Sequence, residues 1–279
     1  MRKLVHLLKW SAGIGSEPQT FLGAKWIRFF LKRVSESKKH IWALRILSFS
    51  PHYFFSGGNF GRTKLSSDKL IKAAFEASAE SRRKIYEHLL KSHLSENQIV
   101  LDYGCGPGWL TRQVSANVKK IYACDISSGV LECARILNSA TNIEYVLADE
   151  AGLDKISGES LDIVFSFATV LHLSTEIFES VLEICRKKLK PGGKLILHIQ
   201  FEEKFLRTEE EWKSDKSVKG KIRYYYGLHC FKRPKEFYLT AVSKHDFDEL
   251  DFVKIADLTG ENFDDICLHH LLTARKSYF

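Results

Sequence analysis

The chain has 279 residues, 44% of them hydrophobic and 27% charged, which is enough apolar sequence for one large domain with a buried core. No apolar run reaches the roughly 18 residues of a membrane-spanning helix, and the start of the chain, broken by Lys9, lacks the apolar centre of a signal peptide. The six cysteines form no CxxC pair and no metal-ligand cluster, so we expect reduced thiols, no metal site and a cytoplasmic location.

Positive charge is concentrated in the first quarter of the chain. Residues 1–66 carry twelve Lys or Arg and two Glu, a net charge of +10, whereas the whole chain carries +8. The same residues are rich in aromatic side chains, and helical spacing predicts amphipathic helices over residues 21–34 and 38–47. Glycine, proline and serine predict a loop at residues 50–58. We interpret residues 1–66 as a basic, aromatic-rich helical extension.

Three interpretations of this extension remain open. A basic amphipathic helix with aromatic side chains binds anionic membrane surfaces, which would give a peripheral membrane contact. A basic patch with aromatic side chains is also typical of nucleic-acid binding. The third interpretation is a helical cap that packs its aromatic side chains on the rest of the protein or on another subunit.

The most informative motif is a glycine-rich turn. An apolar run that ends in Asp102 is followed by glycines at alternate positions, Gly104, Gly106 and Gly108. This pattern predicts a strand, a tight turn and the start of a helix, where free backbone N–H groups and the absence of Cβ atoms suit a nucleotide-like ligand. Trp109 stands where a dinucleotide motif has its third glycine, and no Lys follows as in a phosphate-binding loop. Both phosphate-binding patterns are therefore disfavoured.

Acidic residues follow the next two predicted strands. The second strand ends in Asp125, and the third, residues 143–148, is followed by Asp149 and Glu150. A carboxylate at the end of the second strand can accept hydrogen bonds from both hydroxyls of a ribose, although dinucleotide-binding folds share this feature. A second acid at the end of the third strand suits an adenine amino group, and Asp149 is the better candidate. For each acid the alternative is a solvated turn carboxylate.

These motifs, with residues 161–173 and 189–197, resemble the class I S-adenosylmethionine-dependent methyltransferases in the expected order over residues 68–200. The resemblance implies an α/β fold with a Rossmann-like, seven-stranded, mostly parallel sheet, helices on both faces and an N-terminal helical cap. It implies a catalytic domain over residues 67–279. Ligands in such a sheet bind at the carboxyl ends of the strands.

The resemblance also implies S-adenosyl-L-methionine as the cofactor. By position, the glycines line its methionine part, Asp125 holds the ribose and Ile126 packs on the adenine. The expected cofactor-binding residues are Asp102, Gly104, Gly106, Gly108, Asp125, Ile126, Asp149, Glu150 and Phe167.

The regions on either side of the predicted sheet are expected to complete the domain. A helix over residues 67–94 opens it. Residues 202–239 are polar and contain a dense aromatic stretch, which we interpret as a substrate-side insertion or, alternatively, as a solvated insertion with one buried aromatic anchor. Residues 240–250 are predicted to form the last helix. Residues 252–258 and 265–276 are predicted to form a closing antiparallel strand pair with a short connection.

Transfer of a methyl group to a hydroxyl requires removal of the hydroxyl proton, and histidine is the natural general base near neutral pH. His172 follows the fourth strand and is the first candidate for a catalytic residue, with Tyr226 as a weaker one. His198 and His229 are further candidates, whereas the histidines at 269–270 are expected to pack in the sheet.

Absent motifs narrow the acceptor. The fourth strand is not followed by the [DNS]PP[YF] signature of enzymes that methylate exocyclic amines of bases or the glutamine amide, and no Pro-Cys pair supplies a nucleophile for cytosine chemistry. A small-molecule acceptor methylated on O or N, such as a sugar, lipid-linked or aromatic metabolite, is favoured, and nucleic acid is disfavoured. The alternative hypotheses are an RNA methyltransferase that grips its substrate with the basic extension, and a non-catalytic cofactor-binding module. The sequence leaves the oligomeric state open.

Overall fold

The structure is a computed structural model that describes residues 24–48, 68–201, 206–225, 227–260 and 269–278. The predicted loop at residues 50–58 and the first residues of the predicted helix 21–34 lie outside the described residues.

Seven strands of the described residues form one sheet. Their bounds are β1 Ile99–Tyr103, β2 Lys120–Asp125, β3 Ile143–Leu147, β4 Leu161–Ser166, β5 Leu189–Ile199, β6 Phe247–Lys254 and β7 His270–Lys276. Their order is β3-β2-β1-β4-β5-β7-β6. Strands β1 to β5 pair in parallel, and β7 is antiparallel to both β5 and β6. The predicted seven-stranded, mostly parallel sheet is confirmed.

Helices connect and cover the strands. Their bounds are α1 Ala24–Leu31, α2 Glu36–Ser48, α3 Asp68–Ile85, α4 Trp109–Val114, α5 Ser128–Leu137, α6 Glu150–Leu153, α7 Thr175–Lys188, α8 Glu209–Ser214, α9 Val218–Tyr225, α10 Lys235–Lys244 and α11 Ile255–Thr259. The helix predicted over residues 67–94 is α3, which continues into a π-helical turn and a short 3₁₀ turn. Among the described residues, no helix combines the length and the apolar character needed to cross a bilayer.

The core lies on both faces of the sheet because side chains of a strand alternate between faces. In β5, Leu195, Leu197 and Ile199 pack on the side of α7 and α10, whereas Ile196 packs on the side of α3 and α4. All four side chains are at most 1% exposed. A strand that is apolar on both faces is typical of the centre of a parallel sheet covered by helices on both sides.

The described part of the N-terminal extension packs on the domain. Ile27 and Leu47, from α1 and α2, join Val130 of α5 in one apolar cluster. Arg28 also forms an ion pair with Glu132 of α5 at 2.6 Å. Of the three interpretations of the extension, these contacts favour the helical cap.

The predicted position of the last helix was wrong. α10 spans Lys235–Lys244, so it begins before residue 240, and residues 247–250 belong to β6. Pro234 is the N-cap of α10, where a fixed φ and a missing N–H cost nothing. Asp246 adopts a φ of 58° and turns the chain from α10 into β6. The helix is therefore placed by these two backbone positions rather than by a polar cap.

The antiparallel pairing of the last two strands is confirmed, but the predicted short connection between them was wrong. Residues 255–259 form the helix α11 instead of continuing the strand. Ile255 is fully buried against the face of the sheet that carries α3 and α4, so the apolar side chain anchors a helix. Residues 261–268 lie outside the described residues.

Candidate active site

The candidate site lies at the carboxyl ends of β1, β2 and β4, the edge at which parallel α/β sheets bind ligands. The glycine-rich turn follows β1, and the turn that carries His172 follows β4. Thr169 joins the two turns, because its Oγ1 donates a hydrogen bond to the Gly104 carbonyl at 3.1 Å. The structure thus places the turn predicted to bind the cofactor next to the turn that carries the predicted general base.

The glycine-rich turn needs glycine for conformation and for space. Gly104, Gly106 and Gly108 have φ values of 80°, 53° and 80°, in the left-handed region that favours glycine. A Cβ atom on Gly104 would lie 2.2 Å from Oγ1 of Thr169, and one on Gly108 would lie 2.2 Å from the hydroxyl of Tyr145. Neighbouring side chains therefore touch the turn directly.

Asp125 braces the glycine-rich turn. Its Oδ2 accepts a hydrogen bond from the Gly106 N–H at 3.0 Å, and its Oδ1 accepts one from the Ser127 N–H at 2.8 Å. Burial raises the pKa of Asp125, and these two amide donors oppose the rise. Each carboxylate oxygen can accept more than one hydrogen bond, so both keep capacity for a ligand hydroxyl. Asp125 is therefore more than a solvated turn carboxylate.

Asp102 is buried behind the turn. Its side chain is 2% exposed, and its Oδ2 accepts a hydrogen bond from the Thr111 hydroxyl of α4 at 2.6 Å. Burial raises the pKa of Asp102 to about 7, while the Thr111 hydroxyl and the charge of Arg82 lower it. Sequence reasoning missed Arg82, because α3 carries several basic residues and none stands out by spacing.

The remaining predicted cofactor residues differ in exposure. Ile126 is 38% exposed beside Asp125, which leaves an apolar surface next to the braced carboxylate. Asp149 and Glu150 are both exposed, and Asp149 caps α6 by accepting a hydrogen bond from the Gly152 N–H at 2.7 Å. One oxygen of Asp149 is thus used for the helix. Sequence reasoning did not find this capping role, although the spacing of Asp149 and Gly152 suits it.

Phe167 directly follows β4 and is 7% exposed. It stacks on His198, with 5.5 Å between the ring centroids. Next to it, Ala168 adopts a φ of 55°, and its N–H donates to Nδ1 of His198 at 3.1 Å. A non-glycine residue in this region is strained, and such strain concentrates at functional sites. The histidine therefore holds the backbone at the point where β4 meets the site.

His172 closes the 3₁₀ turn after β4 and is half-buried. Its Nδ1 is hydrogen-bonded to the backbone carbonyl of His229. A carbonyl only accepts hydrogen bonds, so Nδ1 carries a proton, and in the neutral form of the ring the lone pair lies on Nε2. In this tautomer, Nε2 is the basic nitrogen of His172.

The other two histidine candidates are unsuited to act as bases. His198 is 2% exposed and His229 is 3% exposed. Burial holds the pKa of His198 well below its usual value and lowers the pKa of His229 to about 4. His198 is also engaged on its other nitrogen by Nδ1 of His269 at 2.8 Å, so His269 has a specific polar partner. Tyr226 lies outside the described residues.

The described part of the predicted insertion is packed, not merely solvated. α8 and α9 enclose the ring of His229 between aromatic side chains, with Tyr224 stacked at 5.0 Å and Trp212 at 5.3 Å between ring centroids. Phe231 contacts the same ring at 4.5 Å. The backbone carbonyl of His229 is hydrogen-bonded to His172, so this aromatic cluster lies next to His172, the candidate general base.

The turn, the braced carboxylate and the exposed Ile126 fit a nucleoside-containing ligand. The turn offers glycine backbone at the carboxyl end of β1, Asp125 offers acceptor capacity for ribose hydroxyls, and Ile126 offers an exposed apolar side chain. In the described ranges, no group of three or more His, Cys, Asp or Glu side chains could hold a metal ion.

Comparison with known proteins points to one family. Residues 101–197 match the family described as a methyltransferase domain. N-demethylindolmycin N-methyltransferase of Streptomyces griseus is 30% identical over 100 residues, which cover 34% of this chain and 41% of that protein. Malonyl-(acyl-carrier protein) O-methyltransferase of Hahella chejuensis is 25% identical over 170 residues, 60% of each chain. The chain thus spans less than two thirds of the length of these relatives.

A solved structure supports the same fold. The S-adenosylmethionine-dependent methyltransferase of Mesorhizobium loti superimposes with a TM-score of 0.51 at 18% identity, covering 69% of this chain and 97% of that one. At this identity, the likeness shows the fold alone.

Proposed function

We propose that this chain is a class I S-adenosylmethionine-dependent methyltransferase that transfers a methyl group from this cofactor to an O or N atom of a small molecule. The observation that carries the proposal is the bracing of the Gly106 N–H by Asp125, which ties the glycine-rich turn to the end of β2. It holds a ribose-binding carboxylate and a Cβ-free backbone in one fixed arrangement before any ligand arrives.

The cofactor residues are proposed in the following roles. Asp125 accepts hydrogen bonds from the ribose hydroxyls with the lone pairs that Gly106 and Ser127 leave over. Ile126 packs on the adenine face, and Asp149, with Glu150 beside it, lies at the adenine edge. Further cofactor contacts are assigned to Asp102, Gly104, Gly108 and Phe167. When bound, S-adenosyl-L-methionine supplies an electrophilic methyl group.

On the acceptor side, His172 is proposed as the general base. Its Nε2 lone pair takes the proton of an acceptor hydroxyl while its Nδ1–H stays bonded to the His229 carbonyl. When Nε2 takes up the proton, the ring becomes positively charged. The His229 carbonyl stabilises this charge because it still accepts the hydrogen bond from Nδ1–H. Tyr226 remains a candidate to orient the acceptor.

The chemistry of the surroundings favours an acceptor with an apolar or aromatic part. The ring cluster of Trp212, Tyr224, His229 and Phe231 flanks His172, and its histidine is neutral at physiological pH because its pKa is lowered to about 4. Aromatic rings suit an aromatic or lipid-linked metabolite. The guanidinium groups of Arg207 and Arg223 lie over the Trp212 ring, so the cluster also carries positive charge. By their names, the two relatives described above methylate N-demethylindolmycin on nitrogen and malonyl-(acyl-carrier protein) on oxygen.

The proposal is tested by methyl transfer itself. The purified chain is incubated with S-adenosylmethionine and a panel of phenols, lipid-linked hydroxyls, sugars, amines and short RNAs, and the release of S-adenosylhomocysteine and the mass gain of one methyl are measured. Transfer to a small molecule supports the proposal. Transfer to RNA alone, with an affinity that falls steeply with salt, supports the nucleic-acid hypothesis. Tight cofactor binding without transfer to any compound supports a non-catalytic module.

A peripheral membrane contact is proposed through the exposed face of α1. Phe29 is 59% exposed, with the guanidinium of Arg33 3.3 Å from its ring centroid, and Lys32 is exposed beside them. An exposed ring flanked by cations suits an anionic lipid surface inside the cell. Co-sedimentation with phosphatidylserine vesicles at low salt measures this contact. Equal recovery of wild type and Phe29→Ser on vesicles, or no recovery of either, contradicts it.

A further inference from the structure

Residues 229–233, which we call the strap, run along the turn that carries His172. The strap makes backbone contacts with that turn at two neighbouring points. The His229 carbonyl accepts the Nδ1–H of His172, and the Phe231 N–H donates to the Leu171 carbonyl at 3.0 Å. The strap and the turn are therefore held together at two points, His229 against His172 and Phe231 against Leu171.

The end of the strap is fixed by a buried arginine. Arg233 is 4% exposed, and its guanidinium donates to the carbonyls of Val170 at 3.4 Å and Leu173 at 2.5 Å. These two carbonyls flank His172 on either side. The guanidinium thus spans the whole turn from Val170 to Leu173.

Among the described residues, Arg233 forms no ion pair, and the more distant carboxylate of Glu209 and the hydroxyl of Tyr238 stabilise its charge. Its charge rests on carbonyls and on the rings of Phe178, Phe231 and Phe237, whose centroids lie 5.6, 5.1 and 4.6 Å from the guanidinium carbon. Burial lowers the pKa of Arg233, with Tyr238 opposing the change. Burying a guanidinium without a directly paired acid is costly, so the two carbonyl contacts account for a charged side chain at this position.

A second set of contacts ties the insertion to the same place. The indole N–H of Trp212 donates to the Cys230 carbonyl at 3.3 Å, which fixes the middle of the strap to α8. Glu209, at the start of α8, accepts hydrogen bonds from the N–H and the hydroxyl of Thr175 at 2.8 and 2.9 Å. The insertion is therefore hydrogen-bonded both to the strap and to Thr175, the first residue of α7, which follows the His172 turn.

We infer that Arg233 is a positioning residue for His172: by holding the Val170 and Leu173 carbonyls it sets the strap so that the His229 carbonyl keeps the proton on Nδ1 and the lone pair on Nε2. This inference deepens the proposed function and rests on it, because the tautomer matters only if His172 acts as a base. Free histidine favours the opposite tautomer, so the bond to the carbonyl is what selects this one.

The consequence is that the acceptor side is preorganised rather than formed on binding. Thr169, next to the turn, is bonded to Gly104, so the chain of contacts runs from Arg233 through the His172 turn to the cofactor side. Disturbing Arg233 should affect the base while leaving Asp125 and its bonds to Gly106 and Ser127 unchanged.

The test compares Arg233→Met with wild type in ¹⁵N-labelled protein saturated with S-adenosylhomocysteine. Methionine keeps the apolar stem among the phenylalanine rings but removes both donors. Ring-nitrogen spectra report the tautomer of His172, assigned with His172→Gln. We expect Nε2 of His172 to resonate as an unprotonated nitrogen in wild type and to move toward the protonated position in Arg233→Met, with unchanged affinity for S-adenosylhomocysteine. An unchanged His172 spectrum in a folded Arg233→Met protein overturns the inference.

Two further variants keep the test decisive. Arg207→Met is the matched control, since Arg207 also lies over the Trp212 ring but makes no contact with the His172 turn, and it should leave the tautomer unchanged. If Arg233→Met does not fold, Arg233→Lys retains the charge but spans only one carbonyl, and a wild-type His172 spectrum in it overturns the inference equally. The tautomer is read without turnover, so it stands apart from the proposed function, which fails if no compound is methylated.

Discussion

The two halves of the candidate site are built in different ways. On the cofactor side, the bond between Gly106 and Asp125 joins residues 19 positions apart, within one strand–helix–strand unit. On the acceptor side, the bonds that hold His172 and its turn join residues 57 to 63 positions apart. The cofactor side is therefore a local motif, whereas the acceptor side exists only once the insertion has folded back on the sheet.

Because of this difference, the two halves are expected to be sensitive to different substitutions. A local turn depends on backbone conformation and on a single carboxylate, so its weak points are glycines and Asp125. The acceptor side depends on the packing of a remote segment, so its weak points are buried polar groups such as His229 and Arg233. The variants below test whether the two halves respond independently, as expected for sites without shared partners.

The largest effect is expected from His172→Gln. Loss of the general base should lower kcat for a hydroxyl acceptor by about 10²–10⁴-fold, while binding of S-adenosylhomocysteine, measured by calorimetry, stays unchanged. His93→Gln is the control, since His93 precedes β1 at the opposite end of the sheet. Unchanged turnover in His172→Gln would remove the base from the mechanism and leave the cofactor side intact.

Asp125→Ala should act on the other half. Two hydrogen bonds from ribose hydroxyls to a carboxylate contribute about 3 kcal/mol or more, so the affinity for S-adenosylhomocysteine should fall by roughly 10²-fold or more. Asp149→Ala is the comparison: it removes the cap of α6, which costs about 1 kcal/mol of stability, and should weaken binding far less. Equal affinities of Asp125→Ala and wild type contradict the ribose assignment.

Gly104→Ala tests the turn by stability. The substitution combines a left-handed φ with a Cβ that would lie 2.2 Å from Thr169, so the free energy of unfolding should fall by about 2–3 kcal/mol. Gly158→Ala is matched, because a Cβ there meets only the Lys187 carbonyl at an ordinary 3.5 Å, and it should change stability by less than about 0.5 kcal/mol. Urea unfolding followed by circular dichroism measures both. Similar losses in the two variants would show that the close approach to Thr169 is unimportant.

The smallest effect is expected from His229→Phe, and it depends on pH. The pKa of His229 is lowered to about 4 in the folded protein, so between its ordinary value and pH 4 the unfolded chain binds the proton and the folded one does not. Stability should therefore fall as the pH drops through this window, by about 2 kcal/mol at pH 5, and this loss should be absent in His229→Phe.

Asp102 changes stability with pH in the opposite direction, and its effect must be separated from that of His229. Its pKa is raised to about 7, so the folded state holds an extra proton and its contribution to stability falls as the pH rises toward 7. The contribution of Asp102 is the same in wild type and in His229→Phe. The difference between their urea midpoints, compared at pH 5 and pH 7, therefore gives the pH-dependent contribution of His229 alone. An identical pH dependence of the two proteins would contradict the burial of a neutral His229.

Much of the fold was predictable because its signals are local. The alternation of apolar strands with helices identified the parallel sheet, and the glycines with Asp125 identified the cofactor edge. The last helix was misplaced because its start depends on Pro234 and its end on a left-handed Asp246, which no apolar period reveals. Residues 255–258 were predicted to continue the strand but form part of α11, because a buried apolar residue such as Ile255 is compatible with either a strand or a helix.

On the acceptor side, the sequence identified His172 as a candidate but not its tautomer or its supports. Arg233 looks like one basic residue among many until its burial and its two carbonyl contacts are known. His198 and His229 are further candidates by sequence, and only their burial, 2% and 3% exposed, sets them apart from the half-buried His172. Residue type and spacing do not encode which remote backbone carbonyl a ring will meet.

The sequence by itself determined the fold class, the glycine-rich turn and the acid that braces it, because these depend on backbone conformation and on contacts within one strand–helix–strand unit. Only the tertiary structure decided which candidate histidines are buried, which carbonyl the ring of His172 meets and which arginine contacts its turn. The physical reason is that these properties depend on desolvation and on hydrogen bonds between segments about sixty residues apart, which form only when the chain packs.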